Sequence, residues 1–146
     1  LVTGGFDPLH SGHIQYINDA SKLGNRLIVG LNSDDWLTRK KKFFFQNFDE
    51  RKIILQSLKG VDDVISWDDT DNSAIGAILL LLNRINKSEK IIFANGGDRT
   101  SLNVPEIKFF KNNNNVQFKF GVGGVNKKNS SSSITNEFKK KISLTN

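Results

Sequence analysis

The sequence predicts an α/β fold, and three observations predict it. Short apolar runs alternate with longer stretches of helical periodicity along the 146 residues. The runs are nearly uninterrupted, as in strands buried on both faces of a parallel sheet. Asn, Asp, Ser and Gly cluster where the runs end, the chemistry of loops and helix caps. Together they imply one domain spanning residues 1–146, with a five-stranded parallel sheet and helices on both faces. In such folds ligands bind beyond the carboxyl ends of the strands.

Taken in order, Leu1 and Val2 open the first strand, and Gly4 to His13 form a strand-to-helix loop. Ile14, Ile17, Ala20 and Leu23 then recur at helical spacing, with Ser11 as the expected cap and Gly24 as the stop. Leu27 to Leu31 reads as the second strand, ended by a turn at Asn32 to Asp35, and Arg39 to Phe48 as a basic-aromatic loop. Asp49 caps an expected helix to Leu58, closed by Gly60, and Val64 to Trp67 is the third strand. A helix over Ser73 to Ile85, a strand over Ile91 to Ala94 and a loop over Asn95 to Val104 follow. Pro105 sits at the first position of a short helix, as its missing N–H allows. Val116 to Phe120 is the fifth strand, Gly121 to Asn129 a Gly-rich loop, and Ser131 to Ile142 the last helix.

Composition narrows the function classes. Cysteine is absent, which excludes a disulfide framework and thiolate metal sites and fits a cytoplasmic protein. The longest apolar run, Ala77 to Leu82, is too short to span a bilayer. The chain lacks methionine and opens inside an apparent strand, so a few preceding residues are expected. The net charge of +6 is spread in short lysine groups at strand ends, without a basic stripe. Small polyanions are the expected partners, with no nucleic acid and no membrane.

The decapeptide GGFDPLHSGH, Gly4 to His13, holds both histidines of the chain. Its glycines let a backbone approach a ligand, and the following helix start offers unpaired N–H groups and a partial positive charge. This is an anion site, and His10 and His13, three apart, can share one side of the first helical turn. With Asp7 the two imidazoles could instead hold a transition metal.

GGFDPLHSGH resembles the GxFDxxHxGH signature of the cytidylyltransferase-like nucleotidyltransferases, matching at Gly4, Phe6, Asp7, His10, Gly12 and His13. The resemblance implies a Rossmann-like domain that joins a nucleoside monophosphate to a phosphorylated acceptor and releases pyrophosphate. From Gly4 to Ile65 the chain is similar, without gaps, to glycerol-3-phosphate cytidylyltransferases, including the NSD of Asn32 to Asp34 and the VDDVI of Val61 to Ile65. That likeness makes CTP and a glycerol-3-phosphate-like acceptor the first expectation. It assigns His10, His13, Lys40, Lys42 and Arg51 to catalysis, and Gly4, Gly5, Phe6, Asp7 and Gly12 to the nucleotide. Mg²⁺ would accompany the triphosphate, leaning on Asp7.

Two later motifs extend the likeness. NGGDR, Asn95 to Arg99, follows the fourth strand where the family places a glycine and an acid, which assigns Gly96, Gly97 and Asp98 to base or ribose. It also resembles the GGD of heptose-phosphate adenylyltransferase domains, as does the wording of Leu27 to Asp34. The alternative is therefore ATP with a sugar phosphate. Ser130, Ser131 and Ser132 fall on the Ser-Thr-Thr positions of an ISTT-type motif, for the outer phosphates. Val125 stands where many cytidylyltransferases carry arginine, leaving Lys127 or Lys128 to substitute. Family members are often dimers, so a homodimer is a further expectation. A reading of another class is a non-catalytic nucleotide- or RNA-binding module.

Overall fold

A computed structural model of the chain describes residues 1–124 and 129–144. Among the described residues five strands are present and every pairing is parallel. Strands β1 (Val2–Gly4), β2 (Ile28–Leu31) and β3 (Asp63–Ile65) form one ladder in the order β1-β2-β3. Strands β4 (Ile91–Ala94) and β5 (Val116–Lys119) form a second. The expectation of one five-stranded sheet is corrected on this point. β1 is three residues long and meets β4 only through Leu1, whose N–H donates to the Ile92 carbonyl at 2.8 Å and whose carbonyl accepts from Ala94 N–H at 2.9 Å. That junction is too short to count as a ladder, yet it places β4 beside β1.

The helices are α1 (Ser11–Ser21), α2 (Asp34–Lys41), α3 (Phe48–Gln56), α4 (Ile75–Leu82), α5 (Pro105–Phe109) and α6 (Ser131–Ser143). Strand periodicity sorts the core onto two faces. Val2, Val29, Leu31, Val64 and Ala94 pack with Ile17 and Ala20 of α1 and Leu55 of α3. Their strand neighbours Leu1, Ile65 and Phe93 pack with Ala77, Ile78 and Leu81 of α4 and with Val104 and Phe110, which flank α5. Helices therefore cover both faces, as the nearly continuous apolar strands require. No helix among the described residues is long and apolar enough to cross a membrane.

Caps explain where the elements departed from expectation. α1 is capped by the His10 side chain, not by Ser11, and α3 by Asn47, whose side chain accepts from Glu50 N–H at 3.0 Å, with Asp49 in its first turn. The run Asn32 to Asp35, expected as a turn, starts α2: Ser33 caps it by accepting from Trp36 N–H, and Asp34 and Asp35 lie in its first turn, where carboxylates favour the helix dipole. α2 ends at Lys41, with Lys42 in the left-handed region at φ 70°.

Candidate active site

The carboxyl ends of β1 and β4 and the first turns of α1 and α6 enclose a cleft of about 380 Å³. His10, His13, Gly4, Phe6, Gly12, Gly96, Gly97, Asp98, Ser130, Ser131 and Ser132 all line it. Residues separated by more than a hundred positions thus converge, as the expected loop cluster requires.

The histidine pair is built by local structure. His10 has extended backbone (φ −145°, ψ 173°), and its Nδ1 accepts the Gly12 N–H at 3.1 Å, taking one orphan donor of α1. In the neutral ring the proton is then on Nε2, which becomes a donor. A Cβ on Gly12 would lie 3.0 Å from His10 Cε1 and 3.1 Å from Nδ1, so the cap needs glycine there. His13, one turn on, stacks on His10 with ring centroids 3.8 Å apart and planes at 24°. Its other neighbour is Phe6, edge-on at 5.0 Å. Phe6 holds that place with a positive φ of 48°, a costly conformation for a bulky side chain and of the kind found at functional sites.

Burial pushes the His13 imidazole down to about 3, with the neighbouring His10 and Lys41 adding to the effect. His13 is therefore neutral at physiological pH. Its Nδ1 is buried without a hydrogen-bond partner among the described residues, which leaves Nε2 as the nitrogen able to meet a ligand.

The basic segment is arranged differently from expectation. Lys41, not Lys40 or Lys42, lines the cleft, and its ammonium donates to the Asp7 carbonyl at 2.9 Å. Burial lowers the Lys41 pKa, opposed by the Asp7 charge. Lys40 lies outside with its ammonium 5.3 Å from the centre of the Trp36 ring, and Lys42 is exposed at the end of α2. Arg51 is 1% exposed and does not line the cleft. Its guanidinium donates to the carbonyls of Gln46 (3.0 Å), Gly5 (2.8 Å) and Asn32 (2.9 Å) and to the Asp34 carboxylate (2.5 Å). A planar fork with fixed donors can tie four acceptors at once, and here it tracks backbone instead of phosphate.

Asp7 is likewise a fastener. It is 1% exposed, and its carboxylate accepts from Phe45 N–H at 2.7 Å and Gln46 N–H at 2.8 Å. Among the described residues no group of three or more His, Cys, Asp or Glu could hold a metal ion. The residues present do not fit a protein-held metal, neither Mg²⁺ on Asp7 nor a transition metal between Asp7 and the histidines. Gly5 is also structural: a Cβ there would lie 2.6 Å from Leu37 Cδ2.

Across the cleft, one glycine of each later motif, Gly96 and Gly123, packs against a residue that sequence reasoning missed. Tyr16, three residues after His13, donates its phenolic O–H to the Ala94 carbonyl, and burial raises its pKa. A Cβ on Gly96 would lie 2.8 Å from the Val122 carbonyl oxygen and 3.1 Å from the Tyr16 ring. One on Gly123, where φ is 85°, would lie 2.8 Å from Tyr16 Cα. The (i, i+3) spacing of His10, His13 and Tyr16 was the available signal. Asp98 and Arg99 stand exposed at this end.

α6 closes the third side. Ser130 caps it, accepting from Ser133 N–H at 3.0 Å, and Ser131 donates its hydroxyl to the Pro8 carbonyl at 3.0 Å. The helical ladder offers no acceptor to the amides of Ser131 and Ser132, and both residues line the cleft. Val125, Lys127 and Lys128 lie outside the described residues. Two stacked imidazoles, a half-buried ammonium and a helix N-terminus around one cavity can bind a polyphosphate and stabilise charge moving across it.

Comparison with known proteins agrees with this chemistry. Bifunctional protein HldE of Haemophilus influenzae (strain PittEE) is 40% identical over 114 aligned residues, 70% of this chain and 24% of the relative. HldE of Enterobacter sp. (strain 638) is 40% identical over 117 residues, covering 73% and 25%. The chain thus spans about a quarter of the length of these curated relatives. The crystal structure of a lipopolysaccharide core biosynthesis protein from Thermoplasma volcanium GSS1 superposes with a TM-score of 0.59 at 25% identity, over 82% of this chain and 89% of that one. Residues 1–136 match the family described as cytidylyltransferase-like, and the chain belongs to that family, as a nucleotidyltransferase.

Proposed function

We propose that the chain transfers AMP from ATP to a sugar phosphate and releases pyrophosphate, as heptose-phosphate adenylyltransferase domains do. The observation that carries this choice is the likeness to HldE at 40% identity, which favours the adenylyl alternative over CTP and glycerol 3-phosphate. The three sides of the cleft suit the three arms of the α-phosphorus. The nucleoside lies toward Gly96, Gly97 and Asp98, and the β- and γ-phosphates toward the amides of Ser131 and Ser132. The acceptor phosphate approaches from the side of Lys41.

In the reaction an acceptor phosphate oxygen bonds to the α-phosphorus while the bond to the pyrophosphate oxygen breaks, in line and without a covalent enzyme intermediate. Positioning and charge stabilisation carry such chemistry. His10 Nε2–H and His13 donate to the α-phosphate oxygens as negative charge moves toward the leaving group. A neutral His13 suits this, because it donates without having to lose a bound proton as the pH rises through the ordinary imidazole range. Mg²⁺ in this reading travels on the triphosphate oxygens, and Asp7 keeps its fastening role.

The test is pyrophosphate release across ATP and CTP, each with heptose and hexose 1-phosphates, glycerol 3-phosphate and phosphocholine. Fastest turnover with ATP and a sugar phosphate is expected. Preference for CTP with glycerol 3-phosphate would overturn the substrate assignment, and no release with any pair would overturn the activity.

A further inference from the structure

The two tryptophans of the chain are used differently. Trp67 packs against the α4 face of the core and donates its indole N–H to the Ser73 carbonyl at 2.9 Å. Trp36 belongs to neither core cluster. It lines the cleft with Lys41, and its indole N–H has no hydrogen-bond partner among the described residues. A large aromatic on a cleft wall, outside the core and with an unused donor, has no packing role that demands tryptophan.

The backbone that carries it is nonetheless fixed. The Trp36 backbone N–H donates to Ser33 Oγ at 3.0 Å, and Ser33 is itself held by the buried Asp69, through Oγ at 2.8 Å and its N–H at 2.8 Å. The next residue, Leu37, is fully buried. The Gly5 backbone lies along the indole, where a Cβ would be 3.4 Å from Cζ3. The backbone that carries the ring is therefore held in place before a ligand stacks on it.

The Lys40 ammonium lies 5.3 Å from the Trp36 ring centre, and Lys41 lines the same cleft. This suits a ligand that joins an apolar C–H face, hydroxyls and an anionic group. A ring-form sugar phosphate has that chemistry: the ring face meets the indole, a hydroxyl accepts from the indole N–H, and the phosphate faces Lys41. The Gly-rich end of the cleft, at Gly96 and Gly123, lies across the histidine pair and is the end left to the nucleoside.

We infer that Trp36 is the acceptor-selecting residue of the site, the platform on which the sugar ring of the acceptor stacks. The inference rests on the nucleotidyl-transfer reading above and names the residue that distinguishes a ring-form acceptor from an open-chain one.

The test has two arms on the whole chain. In the first, tryptophan emission is followed while heptose 1-phosphate, glucose 1-phosphate or glycerol 3-phosphate is added without nucleotide. A shift with a sugar phosphate in the wild type, absent in Trp36→Phe, is expected, and Trp67 emission reports that the variant is folded. In the second, Trp36→Leu should raise the KM for the sugar phosphate about tenfold, the upper range for an aromatic contact, while the KM for ATP changes less than about twofold. Trp36→Phe, which keeps a ring but loses the indole N–H, should raise the acceptor KM by less than Trp36→Leu does. An unchanged acceptor KM in Trp36→Leu, a rise in the ATP KM instead, or an equal loss for glycerol 3-phosphate would overturn the inference. If the wild type releases no pyrophosphate with any pair, the nucleotidyl-transfer reading fails, and the emission titration alone decides: a Trp36-dependent shift supports the sugar platform, and no shift removes it.

Discussion

The two walls of the cleft are held in place by different means. The wall made by Gly4 to His13 is fastened from behind by buried charge: Asp7 takes two amides of the loop between α2 and α3, and Arg51 takes three carbonyls and the Asp34 carboxylate. The wall made by α6 meets the decapeptide through the hydroxyl of Ser131 on the Pro8 carbonyl, and its residues from Asn136 to Leu144 are exposed. The first wall carries the histidines, whose donors must be aimed before the reaction begins. In the proposed reaction the second presents helix amides that would take an anion by charge and need less prior order. Fastening is concentrated on the histidine wall, and the charged residues that do it, Asp7 and Arg51, are buried and do not line the cleft.

This contrast can be broken most severely at Arg51. Removing its side chain leaves the Gly5 and Asn32 carbonyls buried and the Asp34 carboxylate unpaired, so Arg51→Ala should cost about 3 to 5 kcal/mol of stability in denaturant unfolding. A variant that unfolds like the wild type but has a raised KM for nucleotide would return Arg51 to phosphate binding.

A smaller effect separates the three lysines. Lys41→Ala should raise the acceptor KM about tenfold, as expected for a charge-assisted hydrogen bond, while Lys40→Ala and Lys42→Ala stay within about threefold. Equal effects at all three positions would mean that the segment acts only as a diffuse charge.

Acid should loosen the fastened wall through His13. Its pKa is about 3 in the fold against 6.5 ordinarily, so below pH 6.5 the unfolded chain takes up a proton that the folded chain refuses. The stability that neutral His13 provides is complete above pH 6.5 and falls as the pH drops toward 3, by at most about 1.4 kcal/mol per pH unit. His13→Gln should flatten the dependence of the melting temperature on pH in that window. The smallest effect is expected on the second wall, where Ser131→Ala should cost about 1 kcal/mol, seen as faster amide exchange in the first turn of α6.

How much of this was legible in the sequence follows the same division. The strands, the alternation and the decapeptide could be read because periodicity and spacing carry them. α2 could not, since Leu37 is its one buried residue and its opening Asn-Ser-Asp-Asp has the composition of a turn. With α2 unread, the register of Arg39 to Lys42 was lost, and with it the fact that Lys41 is the lysine that turns inward. Arg51 and Asp7 were placed correctly in the pattern, but sequence cannot say whether a guanidinium meets phosphate or carbonyl oxygen. Gly96 followed from the motif, while its cause, the Tyr16 ring, is a tertiary contact.

The central claim is that the fastened wall aims two imidazole donors at the transferring phosphorus. It is tested most directly by steady-state pyrophosphate release, with ATP and a sugar phosphate in Mg²⁺, for the wild type, His10→Ala and His13→Ala. The account predicts that each variant loses about 10² to 10³ in kcat, with smaller changes in either KM and a folded far-UV spectrum. Wild-type kcat in either folded variant, or activity restored by Zn²⁺ or Mn²⁺ and not by Mg²⁺, would contradict it.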